Sequence, residues 1–290
     1  MEFIPWLQIE SGLKTLQLTE GGYSGARRGL IRIKNGRSLF IKIGNTEATK
    51  KWASKEIKVY EFLKENKYPH IPELVSVNGD GTGFALEALS SDDGWNWSDR
   101  WTNDRILATL AAMDLLAGII PNQKYSDLIK PIVTEEDDGW KKLLASEVLQ
   151  SSLGAKLKES ERNKIIKRLP EYAEKNSQFK FRREALVHDD VRADNCAWNV
   201  EAKQAKLIDW NWLEMGDRRI DLAGFLVHVQ NSGFNVLPNF ADRLDSAALH
   251  WVSGLWLESA SKPIWPGGPE ELRTMQLQYG LTALFLSEEI

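Results

Sequence analysis

The chain has almost no cysteine. Cys196 is the single thiol in 290 residues, which excludes an intrachain disulfide framework and fits a reducing cytoplasm. Nor is there an excess of positive charge. Lys and Arg number 37 against 41 Asp and Glu, a net charge of -4, so no general basic field draws nucleic acid or an anionic membrane. Long apolar runs are missing too. The longest, Ile106 to Ile120, has 15 residues and is broken by Asp114, too short and too polar for a membrane span. The opening MEFIPWLQIE lacks the basic start and long apolar core of a signal peptide. There is no internal repeat or low-complexity segment. What remains, 42% apolar and 27% charged residues, is the composition of an ordinary soluble protein of one large domain or two modest ones.

The most informative stretch is Val187 to Asp209, VHDDVRADNCAWNVEAKQAKLID. A His-x-Asp is followed five residues later by Asn195, then by a strand-turn-strand pattern that ends in Ile208-Asp209. Asp190, Asn195 and Asp209 thus stand at the ends of extended segments, where they can converge. Phosphoryl transfer wants such a trio. Mg²⁺ on nucleotide phosphates takes oxygen ligands, here the amide of Asn195 and the carboxylate of Asp209. A separate carboxylate, Asp190, orients the attacking hydroxyl and accepts its proton. The plain alternative is that Asp189, Asp190 and Asp194 are turn residues on a solvated loop.

Upstream, a short strand at Leu16 to Thr19 leads into Glu20-Gly21-Gly22-Tyr23-Ser24-Gly25. Its glycines let the backbone approach a ligand closely, as a phosphate-covering loop must, although such a turn is often only a turn. Leu30 to Lys34 and Ser38 to Ile43 read as strands of a hairpin around Asn35-Gly36. Lys42 lies in that second, apolar strand, where an ammonium needs a partner. Thr46 to Lys64 has helical spacing and offers Glu56, with Glu47 second, as that partner. Lys42 at a sheet edge and Glu56 on a solvated face is the bland version. A second hairpin joins Leu74–Val77 to Phe84–Leu89, and Ser90 to Asp104 (SSDDGWNWSDRWTND) reads as a polar linker. Beyond it the pattern turns helical: Ile106 to Ile119, Lys141 to Leu149, Ala155 to Lys175 interrupted by Pro170, Asp221 to Gln230, Asn239 to Ser259 and Pro269 to Leu286.

HDDVRADN followed by LIDW resembles the His-x-Asp-(Leu/Val)-x-x-x-Asn and Ile-Asp-Trp motifs of the aminoglycoside phosphotransferase family. The resemblance runs from about Gly21 to Ala223 with all landmarks in order. It implies an α+β, bilobal protein-kinase-like fold: a small antiparallel-sheet lobe with one helix over residues 1–90, a hinge at about 86–94, and a larger, mainly helical lobe over 95–290. It further implies that Gly21, Gly22, Ser24 and Gly25 cover the phosphates and that Lys42, held by Glu56, binds them. The hinge residues Leu86, Glu87, Ala88 and Leu89 would meet the purine, Asp190 would be the base, and Asn195 and Asp209 would hold the metal. His188 and Asp221 would support the catalytic loop. The donor would be ATP or GTP with Mg²⁺. Only eleven residues separate Asp209 from Asp221 and no Ala-Pro-Glu follows, so the long peptide platform of protein kinases is missing and a small-molecule hydroxyl is the expected acceptor.

That acceptor would be an aminoglycoside or a choline, homoserine or sugar-type metabolite. Asp92, Asp93 and the run Glu135 to Asp138, near Trp95, Trp97 and Trp101, offer carboxylates and aromatic faces to a cation, or else are solvated loops. A nucleotide-binding regulator without turnover is the alternative from another class. The position after His188 is commonly glycine in characterised antibiotic kinases, whereas here it is Asp189.

Overall fold

The computed structural model describes residues 15–18, 25–32, 37–98, 100–265, 268–269 and 271–290. Gly21, Gly22, Ser24 and the Asn35-Gly36 turn lie outside the described residues. Along the chain come strands β1 (Thr15–Leu18), β2 (Arg27–Arg32) and β3 (Ser38–Ile43), helix α1 (Glu47–Glu65), strands β4 (Leu74–Val77), β5 (Gly83–Glu87) and β6 (Trp95–Asn96), and helix α2 (Asn103–Ala117). Helices α3 (Gly139–Leu144), α4 (Glu147–Lys156), α5 (Glu159–Lys167) and α6 (Leu169–Ser177) follow. Then come β7 (Ala185–Val187), β8 (Cys196–Asn199), β9 (Gln204–Leu207) and β10 (Glu214–Gly216), and finally α7 (Arg218–Asn231), α8 (Leu237–Phe240), α9 (Ser246–Ser261) and α10 (Leu272–Glu289).

These elements divide into two compact units, one from Met1–Lys130 with Ala193–Leu213, the other from Pro131–Arg192 with Glu214–Ile290. In the first, the strands form an antiparallel sheet in the order β1-β2-β3-β5-β4. Alternation along β3 sends Leu39 and Ile41 to one side, both almost fully buried, and Phe40 and Lys42 to the other. Helix α1 begins at a reciprocal Thr46–Thr49 capping box. Its buried residues Ala53, Glu56, Ile57, Tyr60 and Leu63 recur at helical spacing, and Tyr60 meets Phe84 of β5 at 5.9 Å between ring centroids. Glu56 therefore sits in the stripe that packing buries, where a carboxylate requires a cation.

The supposed linker at 90–104 is more ordered than its polarity suggests. Trp95 and Asn96 pair with Asn199 and Trp198 of β8, so β6 completes a three-stranded sheet β6-β8-β9, and Trp95 is 8% exposed. Helix α2, capped by Thr102, carries the buried Arg105. Its guanidinium stacks on Trp101, 4.0 Å from the ring centroid, and donates to the carbonyls of Ser98 and Cys196.

In the second unit β7 and β10 pair antiparallel, Glu214 opposite Val187 and Gly216 opposite Ala185. A Cβ at Gly216 would come within 2.4 Å of Val187 Cγ2, so this pairing demands glycine. The core gathers Trp140, Leu143, Leu153, Leu169, Tyr172, Leu257 and Leu284, with the Trp140 indole donating to His250 O at 2.8 Å. The single helix expected over Lys141–Leu149 is broken between α3 and α4, because Ser146 caps a new start by accepting from Leu149 N. Asp245 likewise caps α9 by accepting from Ala248 N at 2.9 Å, which breaks the helix expected from Asn239. Pro170 lies in the first turn of α6, a position that needs no N–H donor.

Candidate active site

Lys42 lies at the centre of the first unit's polar cluster. Its Nζ donates to Glu56 Oε2 at 2.6 Å and to Asp209 Oδ1 at 2.8 Å, joining strand β3, helix α1 and the segment after β9. The lysine and Glu56 are both buried, 4% and 2% exposed. Burial works against the ammonium, but the two carboxylates outweigh it and Lys42 is raised above its usual value. Asp209 feels burial too, yet Lys42 holds its carboxyl below the usual range. Glu56 goes the other way: burial lifts its carboxyl, and the attraction of Lys42 only partly offsets that. The direction follows from the count of charges, because one ammonium serves two carboxylates and the more deeply buried one takes the cost.

Asp209 does not close β9, as its place after an apolar run suggests, but lies two residues beyond Leu207. It has left-handed backbone angles, φ 63 and ψ 59, which Asp tolerates better than most residues. The turn from Trp210 to Trp212 is tied to α1 by Lys55 Nζ, which donates to Asn211 O at 2.6 Å. Asn211 Nδ2 in turn donates to Asp209 Oδ1 at 2.8 Å. Asn195 stands at the same end of the β8–β9 hairpin, where its carbonyl accepts from Ile208 N at 3.0 Å. Asn195 and Asp209 thus stand at one hairpin mouth, and an amide with a carboxylate is a donor set suited to a hard cation. Arg105 holds this mouth from beneath through its bond to Cys196 O at 2.8 Å.

Leu86 and Glu87 end β5, and Ala88 and Leu89 follow it. Beside the latter pair opens a cavity of about 520 Å³ walled by Leu30, Phe40, Trp95 and Trp97. Two backbone groups here already have partners: Ala88 N donates to Ser38 O at 3.2 Å, and Leu89 O accepts from Trp97 Nε1 at 2.8 Å. Glu87 pairs with Lys206 at 2.8 Å. Gly25 has a positive φ of 60, conformational freedom that glycine supplies without strain.

The second unit holds Asp190, His188 and Asp221. Asp190 Oδ1 is 2.9 Å from Arg192 Nε, and His188 is fully buried. The Asp221 carboxylate accepts the backbone N–H of Asp189 at 2.9 Å and also that of His188. Asp189 takes φ 58, the left-handed region that favours glycine, which accounts for the glycine common here in the resembled family. Its carboxyl is buried and in hydrogen-bond contact with Glu214. Glu214 also accepts from the backbone N–H groups of Ile132 and Val133. Two N–H donors favour charge on Glu214, so the shared proton rests on Asp189, whose carboxyl is pushed well up by burial and by the neighbouring carboxylates. Burial also lifts Asp221, to about 6.

These raised carboxyls have a consequence for stability. The folded protein holds protons that an unfolded chain releases near pH 4, so the contribution is complete below about pH 4 and is lost as the pH climbs through about 6 and beyond. In Asp189→Asn the amide donates to Glu214 at every pH. We expect this variant to match the parent near pH 5 and to exceed it at pH 8 by about 1–3 kcal/mol, the worth of a hydrogen bond to a charged group. Urea titrations at both pH values check this, and a variant less stable at pH 8 would refute the shared proton.

The sequence pairs Lys42 with Glu56, whereas the bond from Lys42 to Asp209 and the parts taken by Lys55, Arg105, Arg192 and Glu214 come from the structure. Only Arg105 left a trace, a lone cation at the start of an otherwise apolar helix.

Comparison with known proteins follows the same lines. No curated protein sequence matches the chain. Among solved structures, it resembles spectinomycin phosphotransferase APH(9)-Ia in complex with ADP and spectinomycin, at TM-score 0.61 and 12% identity over 96% of this chain and 94% of that one. Choline kinase LicA from Streptococcus pneumoniae aligns at TM-score 0.59 and 12% identity over 94% of each chain. The GDP and kanamycin complex of APH(2")-IIia aligns at TM-score 0.58 and 18% identity over 97% of this chain and 94% of that one. At such identities the likeness establishes a protein-kinase-like phosphotransferase fold and no more. The sequence profile of the phosphotransferase enzyme family, however, matches residues 15–257, and the chain belongs to that family.

Proposed function

We propose that the protein transfers the γ-phosphoryl group of ATP or GTP to an alcohol oxygen of a small molecule. The observation that carries the reading is Lys42, an ammonium buried on a central strand and held between Glu56 at 2.6 Å and Asp209 at 2.8 Å. A lysine so fixed presents its charge to nucleotide phosphates with little rotamer entropy left to lose. The purine is assigned to the cavity beside Ala88 and Leu89, whose size suits a planar ring system, and the backbone of Gly21, Gly22, Ser24 and Gly25 to the phosphates. Asn195 and Asp209 are the residues that would hold Mg²⁺. When bound, the ion neutralises charge on the phosphate oxygens. Asp190 orients the acceptor hydroxyl and takes its proton as the new O–P bond forms and the nucleoside diphosphate departs. His188 and Asp221 hold the loop that presents it. Residues 1–90 then make up the nucleotide lobe and 95–290 the lobe that receives the acceptor. Within this reading acceptors range from aminoglycosides and choline-like amino alcohols to homoserine and sugars.

Calorimetry of nucleotide binding tests the metal assignment. Asp209→Ala leaves Lys42 its Glu56 partner but removes an oxygen ligand. Affinity for Mg²⁺-nucleotide should drop on the order of ten-fold or more, while metal-free binding changes much less. Equal affinity with and without Mg²⁺ in the parent protein, unchanged by the substitution, would contradict the assignment.

A further inference from the structure

The sheet face that carries Lys42 in the first unit is ordered in rungs. On β3, Phe40 and Lys42 point the same way, and each has an in-register partner on β2: Leu30 stands opposite Phe40, and Arg28 opposite Lys42. Leu30 and Phe40 wall the cavity beside Ala88 and Leu89. Two residues further along each strand, about 7 Å away, come Arg28 and Lys42. On its other side Lys42 has Phe84 of β5 as its partner in the ladder, and Phe84 is fully buried. Arg28 is half-buried and therefore forms the accessible side of the rung. Side chains directly opposite have Cβ atoms only about 5 Å apart, and like charges so placed are destabilising. Two cations on one rung call for an anion beside them.

Glu56 and Asp209 supply part of that negative charge. Burial lifts Glu56 and works against Asp209, Lys42 opposes it at both, and the charge of Arg28 reaches both carboxyls as well. Lys42, Glu56 and Asp209 by themselves are one ammonium against two carboxylates, a net negative group that repels a polyphosphate. Arg28 brings the count to two against two. Two of the three Lys42 donors are already spent on the carboxylates, whereas a guanidinium offers five in a fixed fork that matches pairs of phosphate oxygens. Gly25, with its φ of 60, lies three residues before Arg28 and ends the glycine segment assigned to the phosphates above. All these residues belong to the first unit.

Resting on the phosphotransferase reading above, we infer that Arg28 is a second phosphate-binding residue, its guanidinium taking the polyphosphate of the nucleotide beside Lys42 while the Leu30–Phe40 rung flanks the purine. The sequence offers no signal for this role, because Arg27 and Arg28 are adjacent and only the strand pairing decides which of them shares a face with Lys42. Arg27 stands opposite Ile43 and points to the other side of the sheet.

The test measures, by calorimetry on the full chain with Mg²⁺, the binding of a nucleoside and of its mono-, di- and triphosphate in the adenine and guanine series. Arg28→Gln should weaken the triphosphate about ten- to a hundred-fold, as expected for lost hydrogen bonds to a charged group, the monophosphate less and the nucleoside not at all. Arg28→Lys keeps the charge but not the fork, and should recover only part of that loss. Arg27→Gln makes the same change of charge on the opposite face and should bind all four ligands as the parent does. A loss in Arg28→Gln that is equal for nucleoside and triphosphate, or one that Arg27→Gln reproduces, overturns the inference and leaves the kinase reading standing. Parent-like triphosphate affinity in either Arg28 variant does the same. Should melting curves show that Arg28→Gln fails to fold, Arg28→Lys decides alone: a loss that grows with the number of phosphates supports the inference, and parent-like affinity overturns it. Absence of Mg²⁺-nucleotide binding in the parent protein removes the reading beneath, and the inference with it.

Discussion

Asp190→Asn is expected to lose 10²- to 10⁴-fold in phosphoryl transfer, about 3–5 kcal/mol of barrier, with nucleotide affinity nearly unchanged. The substitution preserves shape and leaves an oxygen facing Arg192, now 2.9 Å from the carboxylate, but removes the proton acceptor and its negative charge. Asp190 is one-quarter exposed, 26% by side chain, so its ion pair is partly screened and the stability lost should stay within about 1 kcal/mol. That separation makes the experiment decisive. A melting curve and a transfer assay on the two proteins should show the second collapse while the first barely moves. Near-full transfer in the variant would remove Asp190 from the base role, and activity lost only in step with unfolding would make the loop structural.

Lys42→Met should be the most destabilising of the substitutions considered. It leaves Glu56, 2% exposed, as a buried carboxylate with its cation gone and Asp209 beside it. Removing one partner of a buried pair costs about 3–5 kcal/mol, because the remaining charge keeps its desolvation penalty. Glu56 already carries a carboxyl raised by burial, so in the variant it should take up a proton and the penalty should shrink at acidic pH. The double variant Lys42→Met, Glu56→Leu replaces the pair with apolar groups and should recover most of the lost stability. It should not recover nucleotide binding if, as proposed above, the ammonium is what holds the phosphates. Urea titrations of the parent, both single variants and the double variant measure the coupling. Additive losses would mean that the pair is not energetically joined, and restored nucleotide affinity in the double variant would detach Lys42 from phosphate binding.

How much of this was legible beforehand depends on the length scale of each signal. The Thr46–Lys64 periodicity located α1 to within a residue at each end, since one buried stripe and a capping Thr46 are local properties. The same logic failed at Ser146 and Asp245, whose side chains cap new helices inside apolar patterns that looked continuous. It failed again at Trp95, where pairing with Asn199 made a strand out of a stretch that composition marked as linker.

The sequence by itself determined the reaction class: a strand lysine, a helix glutamate, a His-x-Asp loop, and an Asn and an Asp flanking a hairpin follow in an order that resembles the phosphotransferase enzyme family whose profile matches the chain. Those signals survive because each residue type is required where it stands. Tertiary structure alone decided how the charges are balanced. Glu214 sharing a proton with Asp189, Arg105 supporting the hairpin mouth, the left-handed turn at Asp209 and the small cavity beside Asp190 all arise from contacts between segments far apart in the chain. Such contacts impose no period and no spacing on the sequence, because burial and hydrogen bonding depend on where the backbone brings two residues and not on how many residues lie between them.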